Sequence, residues 1–216
     1  MKAYKTNLIL IFLLLGISPW AFSASAEMSS KHLRLVKDLM NNNLAYSQDA
    51  TTTNIIEWEE EIVDSLRQKK DYRNMFLMKQ MAVYAYSLQA KISEALKKAD
   101  AMMDEARLMK YNIGISLSYQ ALGDIYLNAG MRPEAVEEYE KAMKTLQATP
   151  HAEKIQERIF IQLVPTLIKL KRMDEAKAYL EHMSEICESK CLSPFLLYAY
   201  HAYYYLRNND LSKARE

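Results

Sequence analysis

"YQALGDIYLNAGMRPEAVEEYEKA" occupies Tyr119 to Ala142, and its small residues decide the fold. Tyr119, Leu122, Tyr126, Tyr139 and Ala142 recur at spacings of three and four, which gives each of two helices an apolar stripe. Gly130 supplies a helix stop between them. Pro133 presets the φ of a new first turn, and Glu134 puts negative charge at the positive end of the helix dipole. Where antiparallel helices cross at ~8–10 Å, side chains at the contact must be small or closely fitted. Gly123 and Ala135 are therefore expected at that crossing, which makes Gly123 a packing glycine and not a phosphate-binding one.

The pattern returns along the chain. Ile92-Ser-Glu-Ala95, Arg132-Pro-Glu-Ala135, Met173-Asp-Glu-Ala176 and Leu211-Ser-Lys-Ala214 place their alanines 40, 41 and 38 residues apart. Ser93, Pro133, Asp174 and Ser212 favour a helix start by capping or by a preset φ. Twelve residues before each alanine stands Val83, Gly123, Val164 or Ala202. Such periodicity predicts an all-α stack of helix hairpins. Pro165 falls inside a first helix, which it should kink or deprive of one backbone bond.

Y-x-x-L-G-x-x-Y, then G, then A-x-x-x-Y-x-x-A resembles the tetratricopeptide repeat, with Tyr119, Leu122, Gly123, Tyr126, Ala135, Tyr139 and Ala142 at its signature positions. The resemblance implies a right-handed superhelical stack of antiparallel hairpins, an α-solenoid, whose first helices line a concave groove. On that register Gln80, Tyr84, Gln120, Asp124, Asn128, Arg158, Lys169, Tyr203 and Arg207 face the groove. Repeats are expected at about 71–111, 112–150, 151–191 and, incomplete, 192–216. Residues 27–70 read as a degenerate leading hairpin, with helices at Lys31–Asn42 and Ile55–Lys69 joined by the polar "NNNLAYSQDATTTN". The period exceeds the ~34 residues usual for this family, and the surplus is expected in the second helices or in links such as Met103 to Asn112.

Composition agrees with a helical chain, since 4 glycines and 5 prolines in 216 residues leave little turn chemistry for β folds. A net charge of +1 gives no concentrated basic face for nucleic acid. Lys2 and Lys5, the apolar run Leu8 to Ile17 and the Ala24-Ser25-Ala26 end form a secretory signal. Cleavage after Ala26 leaves 26 basic against 27 acidic residues, net −1, in an extracytoplasmic and periplasmic protein. A retained anchor stretching to Phe22 is the alternative, although a spanning helix needs ~20 apolar residues. Cys187 and Cys191 are the only cysteines. Four residues of continuous helix would set their Cα atoms ~6 Å apart, near the edge of the disulfide window. A small staple and two free thiols both stay open. Cys187, Cys191 and nearby His182 supply too few spaced ligands for a metal.

No catalytic, cofactor-binding or metal-binding motif is present. His32, His151, His182 and His201 have no metal-site spacing, and neither a nucleophile elbow nor a phosphate loop occurs. "EWEEEIVD" at 57–64 spreads its carboxylates around a helix whose stripe is Trp58, Ile62 and Leu66, which reads as a solvated face. "YAYHAYYYL" at 198–206 places five tyrosines on one helix. Tyr198 and Tyr205 read as packing residues, and Tyr203 is left as a recognition candidate. A chain ending at Glu216, five residues into a second helix, reads as truncated, because a single helical turn is not a stable ending.

Together these readings predict a non-catalytic module, without cofactor, that binds a protein or peptide segment. An exported array of this period resembles the sensor region of membrane-anchored bacterial regulators, which implies a signalling output beyond residue 216. A scaffold for envelope assembly without an output domain is the alternative. Membrane contact would come only from an uncleaved N-terminus or a segment past residue 216, and self-association is left open.

Overall fold

The protein's structure, a computed structural model, describes residues 48–190, 194–210 and 213. Eight helices make up these residues: α1 (Gln48–Gln68), α2 (Tyr72–Leu88), α3 (Ile92–Leu108), α4 (Asn112–Asn128), α5 (Arg132–Leu146), α6 (Glu153–Lys169), α7 (Met173–Lys190) and α8 (Pro194–Arg207). No strand occurs among the described residues. The export segment, the helix expected at Lys31–Asn42, Cys191, Ser212 and Ala214 lie outside them, as does the side chain of Cys187. The chain divides into two compact units between Asp104 and Glu105, inside α3. In the first, α1 packs on α2; in the second, α4 packs on α5, α5 on α6, α6 on α7, and α8 on both α6 and α7. This is the side-by-side hairpin packing of a helical-repeat solenoid.

One turn geometry closes nearly every helix. Lys70, Ala90, Lys110, Gly130, Lys171 and Asn209 take φ between 51° and 81°. The N–H of the residue after each reaches a carbonyl five positions back: Asp71 to Leu66, Lys91 to Tyr86, Tyr111 to Ala106, Met131 to Tyr126, Arg172 to Leu167 and Asp210 to Tyr205, all at 2.9–3.0 Å. The left-handed residue itself bonds three back, as Gly130 does to Leu127 at 3.0 Å. Paired bonds of this kind define the Schellman motif. Only one of the six is glycine; the others accept the ~1–2 kcal/mol steric cost of that conformation. Gly130 is the stop expected from the sequence, whereas the lysine and alanine stops carry no turn signal.

The period of about forty residues is filled by helix. α2, α3 and α4 are each 17 residues long, and the links before and after them have three residues. Links are therefore not where the surplus over shorter repeats lies. α1 likewise begins at Gln48, inside the stretch expected to be a polar linker. Its first turns lie beside the end of α2, where Gln89 Nε2 reaches Thr53 Oγ1 at 3.4 Å. Packing against α2 outweighs the weak helix propensity of three consecutive threonines. The caps also shift by one residue. Met131 is the N-cap of α5, without a side-chain cap bond, and Pro133 lies in the first turn. Ser93 and Asp174 fall one residue inside α3 and α7 and are not caps.

The repeat positions are buried as their size requires. Ala95, Ala135, Ala176 and Val164 are fully buried, and Val83 is nearly so. Gly123 is packed against Tyr139 of α5. A Cβ built on it would stand 2.5 Å from Tyr139 Cε1 and 2.7 Å from Cδ1. The missing side chain is a notch for the Tyr139 ring, which is wholly buried and donates its hydroxyl to Asp124 Oδ1 at 2.7 Å. Ser116 Oγ adds a buried bond across the same hairpin, to Ala142 O at 3.0 Å.

Two further expectations are corrected. Glu59, read as part of a solvated face, is 7% exposed and ion-paired to Lys98 of α3. Lys98 Nζ also lies 5.5 Å from the Tyr86 ring centroid. Glu57, Glu60 and Glu61 are exposed as anticipated. Tyr198, read as a packing residue, is 69% exposed. α8 turns Tyr200, His201 and Tyr204 towards its neighbours.

Pro165 leaves α6 continuous. Without an N–H it cannot satisfy Ile161 O four residues back, and that carbonyl accepts the Tyr200 hydroxyl of α8 at 3.1 Å instead. Burial pushes the Tyr200 phenol up, which keeps it a donor. A proline within a helix is thus answered by a tyrosine from the next hairpin.

Two sets of variants test these contacts by chemical denaturation. Gly123→Ala gains helix propensity worth ~1 kcal/mol, but Tyr139 is fixed by burial and by Asp124, so overpacking should win with a net loss of ~1–2 kcal/mol. In a Tyr139→Leu background that loss should vanish or reverse. An unchanged loss there would place the clash elsewhere. Tyr200→Phe should cost ~1–2 kcal/mol by orphaning a carbonyl, and much less in a Pro165→Ala background, where the backbone N–H returns. Equal costs in both backgrounds would sever that link.

Candidate functional site

The residues expected on the groove form short stripes on the first helices. On α2, in the first unit, Gln80 is buried and Tyr84 half-buried. On α4, Gln120, Asp124 and Asn128 follow at intervals of four and pass from buried to exposed. α6 carries half-buried Arg158 and exposed Lys169, and α8 carries Tyr203 with Arg207, whose guanidinium lies 5.3 Å over the Tyr203 ring centroid.

These residues differ in availability. Asp124 already accepts the Tyr139 hydroxyl and is part of the hairpin's interior. Gln120 is only 4% exposed, and its Oε1 is buried without a hydrogen-bond partner. An amide so placed costs ~1–3 kcal/mol unless something bonds to it. Of the stripe on α4, Gln120 is the group whose chemistry is unfinished.

A second feature was not anticipated. Between α5 and α7 lies a cavity of about 330 Å³ lined by Glu140, Glu175, Ala178, Tyr179 and His182. Glu175, Ala178, Tyr179 and His182 stand at i, i+3, i+4 and i+7, one face of α7. Phe160 of α6 fixes the two rings edge-on, at 6.0 Å from Tyr179 and 5.7 Å from His182. Arg172 closes one end, with Nε 2.7 Å from Glu175 Oε1 and Nη2 3.3 Å from Glu140 Oε1.

Electrostatics separates the two carboxylates. The hydrogen bonds from Arg172 hold Glu175 below the usual carboxylate range. Burial raises Glu140, Arg172 opposes the rise, and Glu175 and Glu137 add to it. Burial, with help from Glu140 and Glu175, pushes the Tyr179 phenol up to about 12. The sequence signal for this cavity was present but ambiguous, since Glu175 falls in the first turn of α7, where an acid has a sufficient local role, and His182 stood beside the cysteines. Among the described residues no group of three or more His, Cys, Asp or Glu is arranged to hold a metal ion, and no helix is long and apolar enough to cross a membrane.

The tyrosine-rich α8 is largely tied down. Tyr204 is buried against Tyr205, ring to ring at 5.4 Å. His201 stacks on Tyr205 at 6.3 Å, and its Nε2 lies 3.2 Å from Ser184 Oγ. That hydroxyl donates to Leu180 O at 2.9 Å, so His201 Nε2 carries the proton and donates to Ser184. Burial lowers the His201 pKa from 6.5, against an upward pull from Glu181. The unfolded chain therefore takes up this proton first. Stability from His201 is intact above 6.5 and is lost as pH falls through that value towards the folded-state pKa. The difference in unfolding free energy between wild type and His201→Gln should shrink on acidification across that window. A difference independent of pH would contradict it.

No protein-family model matches this chain, and no curated protein matches it either.

Proposed function

We propose that this chain is a non-catalytic binding module of the tetratricopeptide type, exported to the periplasm, whose first helices hold an extended protein or peptide segment. The hairpin packing of the second unit supports this reading, because its first helices α4, α6 and α8 lie in succession and offer a continuous surface. The observation that carries it is Gln120, whose buried amide oxygen has no hydrogen-bond partner. A peptide backbone offers what that oxygen lacks, an N–H donor. Binding would then relieve the cost of the unpaired group, and Asn128, Arg158 and Lys169 would contribute the rim.

Panning random linear peptides against the full chain tests this. Peptide binders should lose about tenfold or more in affinity with Gln120→Leu, the worth of a hydrogen bond to a buried amide. The same variant should melt no lower than wild type, since it removes an unpaired polar group. Peptide affinities indifferent to Gln120, or a library without saturable binders, would contradict the groove. A lowered melting temperature would make Gln120 a structural residue.

A further inference from the structure

We infer that the cavity between α5 and α7 is a second binding site, one that takes a guanidinium group. It lies on second helices, apart from the stripes of the first helices, and does not depend on what they bind.

Three features point to that chemistry. The lining has two carboxylates, Glu140 and Glu175, and no cation of its own. Arg172 at its end ion-pairs with both, giving Glu175 two hydrogen bonds and Glu140 one at 3.3 Å, so a single cation faces two carboxylates. The Glu140 carboxylate, with one hydrogen bond from that guanidinium, keeps acceptor capacity for a second donor. Arg172 also demonstrates the fit, since a planar fork already sits against the same carboxylates from outside. Second, Tyr179 and His182 form an aromatic wall whose rings are held edge-on by buried Phe160, so their orientation is set before any ligand arrives. Guanidinium stacks on such rings and sheds water more readily than ammonium. Third, Ala178 leaves the middle of the face empty, and the resulting 330 Å³ admits an arginine-sized side chain.

The electrostatics agree. Burial raises the Glu140 carboxyl and, with Glu140 and Glu175, the Tyr179 phenol. Both shifts report a partly buried place of negative potential, which an incoming cation would relieve. Tyr179 stays protonated and neutral, a ring face with a hydroxyl. A bound guanidinium would draw the Glu140 pKa down, so affinity should weaken as the solution is acidified through the carboxylate range. The charged and titratable groups around Glu140 are Glu137 on its own helix and Arg172, Glu175, Tyr179 and His182 on the facing segment.

The source of the guanidinium is either an arginine of a partner protein or a free small molecule. Titration of the full chain by NMR, following Tyr179 and His182 ring signals, separates them. The probes are agmatine, N-acetylarginine methylamide, and the citrulline and lysine counterparts of the latter. Saturable shifts with both guanidinium probes, weaker ones with lysine and none with citrulline are expected. Binding of agmatine alone would assign a free metabolite, and binding of the blocked arginine alone a protein side chain. Glu140→Gln should reduce affinity about tenfold. Ala178→Leu fills the cavity from an exposed helix position and should abolish the shifts with the melting temperature preserved. Citrulline binding as well as arginine, or no saturable shift with any guanidinium at millimolar concentration, would overturn the assignment. So would binding that survives both substitutions.

Discussion

Tyr139 lying in the notch of Gly123 is the contact on which the central hairpin depends. Any side chain at 123 would enter the ring, which is why a glycine is kept in mid-helix at a cost of ~1 kcal/mol in propensity. The ring supplies the missing volume, and its hydroxyl, bonded to Asp124, fixes how far it enters. α4 and α5 can then approach closely while burying an aromatic residue between them. Ala135 and Ala142 serve the same approach from the other helix, both fully buried.

The turns set the rest of the stack. Repeated Schellman motifs end the helices and reverse the chain within three residues, so neighbouring helices have little freedom in how they leave one another. This separates two tasks that the residues perform independently. Side-chain size decides where helices touch, and backbone hydrogen bonding at the left-handed residue decides how the chain turns. Lys70, Ala90, Lys110 and Lys171 perform the second task without a glycine, because the paired bonds and the packed helices outweigh the local steric cost.

That division explains what could be read from residues alone. The hairpins, their spacing and the packing role of Gly123 were legible, since they rest on local patterns of size and period. That the Tyr139 ring would fill the space at Gly123 was not, because position in a register does not reveal which ring will turn into a gap. Glu59 looked solvated for the same reason: its ion pair comes from Lys98, thirty-nine residues later. Pro165 was recognised as a defect, while its answer, Tyr200, looked like one tyrosine among many. Binding surfaces were least legible. A stripe of polar residues on α4 can be listed from the period, but that Asp124 is committed and Gln120 is not depends on three-dimensional neighbours. The cavity between α5 and α7 needs two helices and the Phe160 ring beneath, and no single window of sequence contains it.

The most direct measurement of the central contact is the NMR signature of Gly123 and Tyr139 in the folded chain. A ring held in the glycine notch should shift the Gly123 Hα resonances strongly by its ring current. It should also flip slowly enough on cooling to separate its two edges. Gly123 Hα resonances near ordinary helical values, with a Tyr139 ring averaged at every accessible temperature, would show that the helices do not meet there.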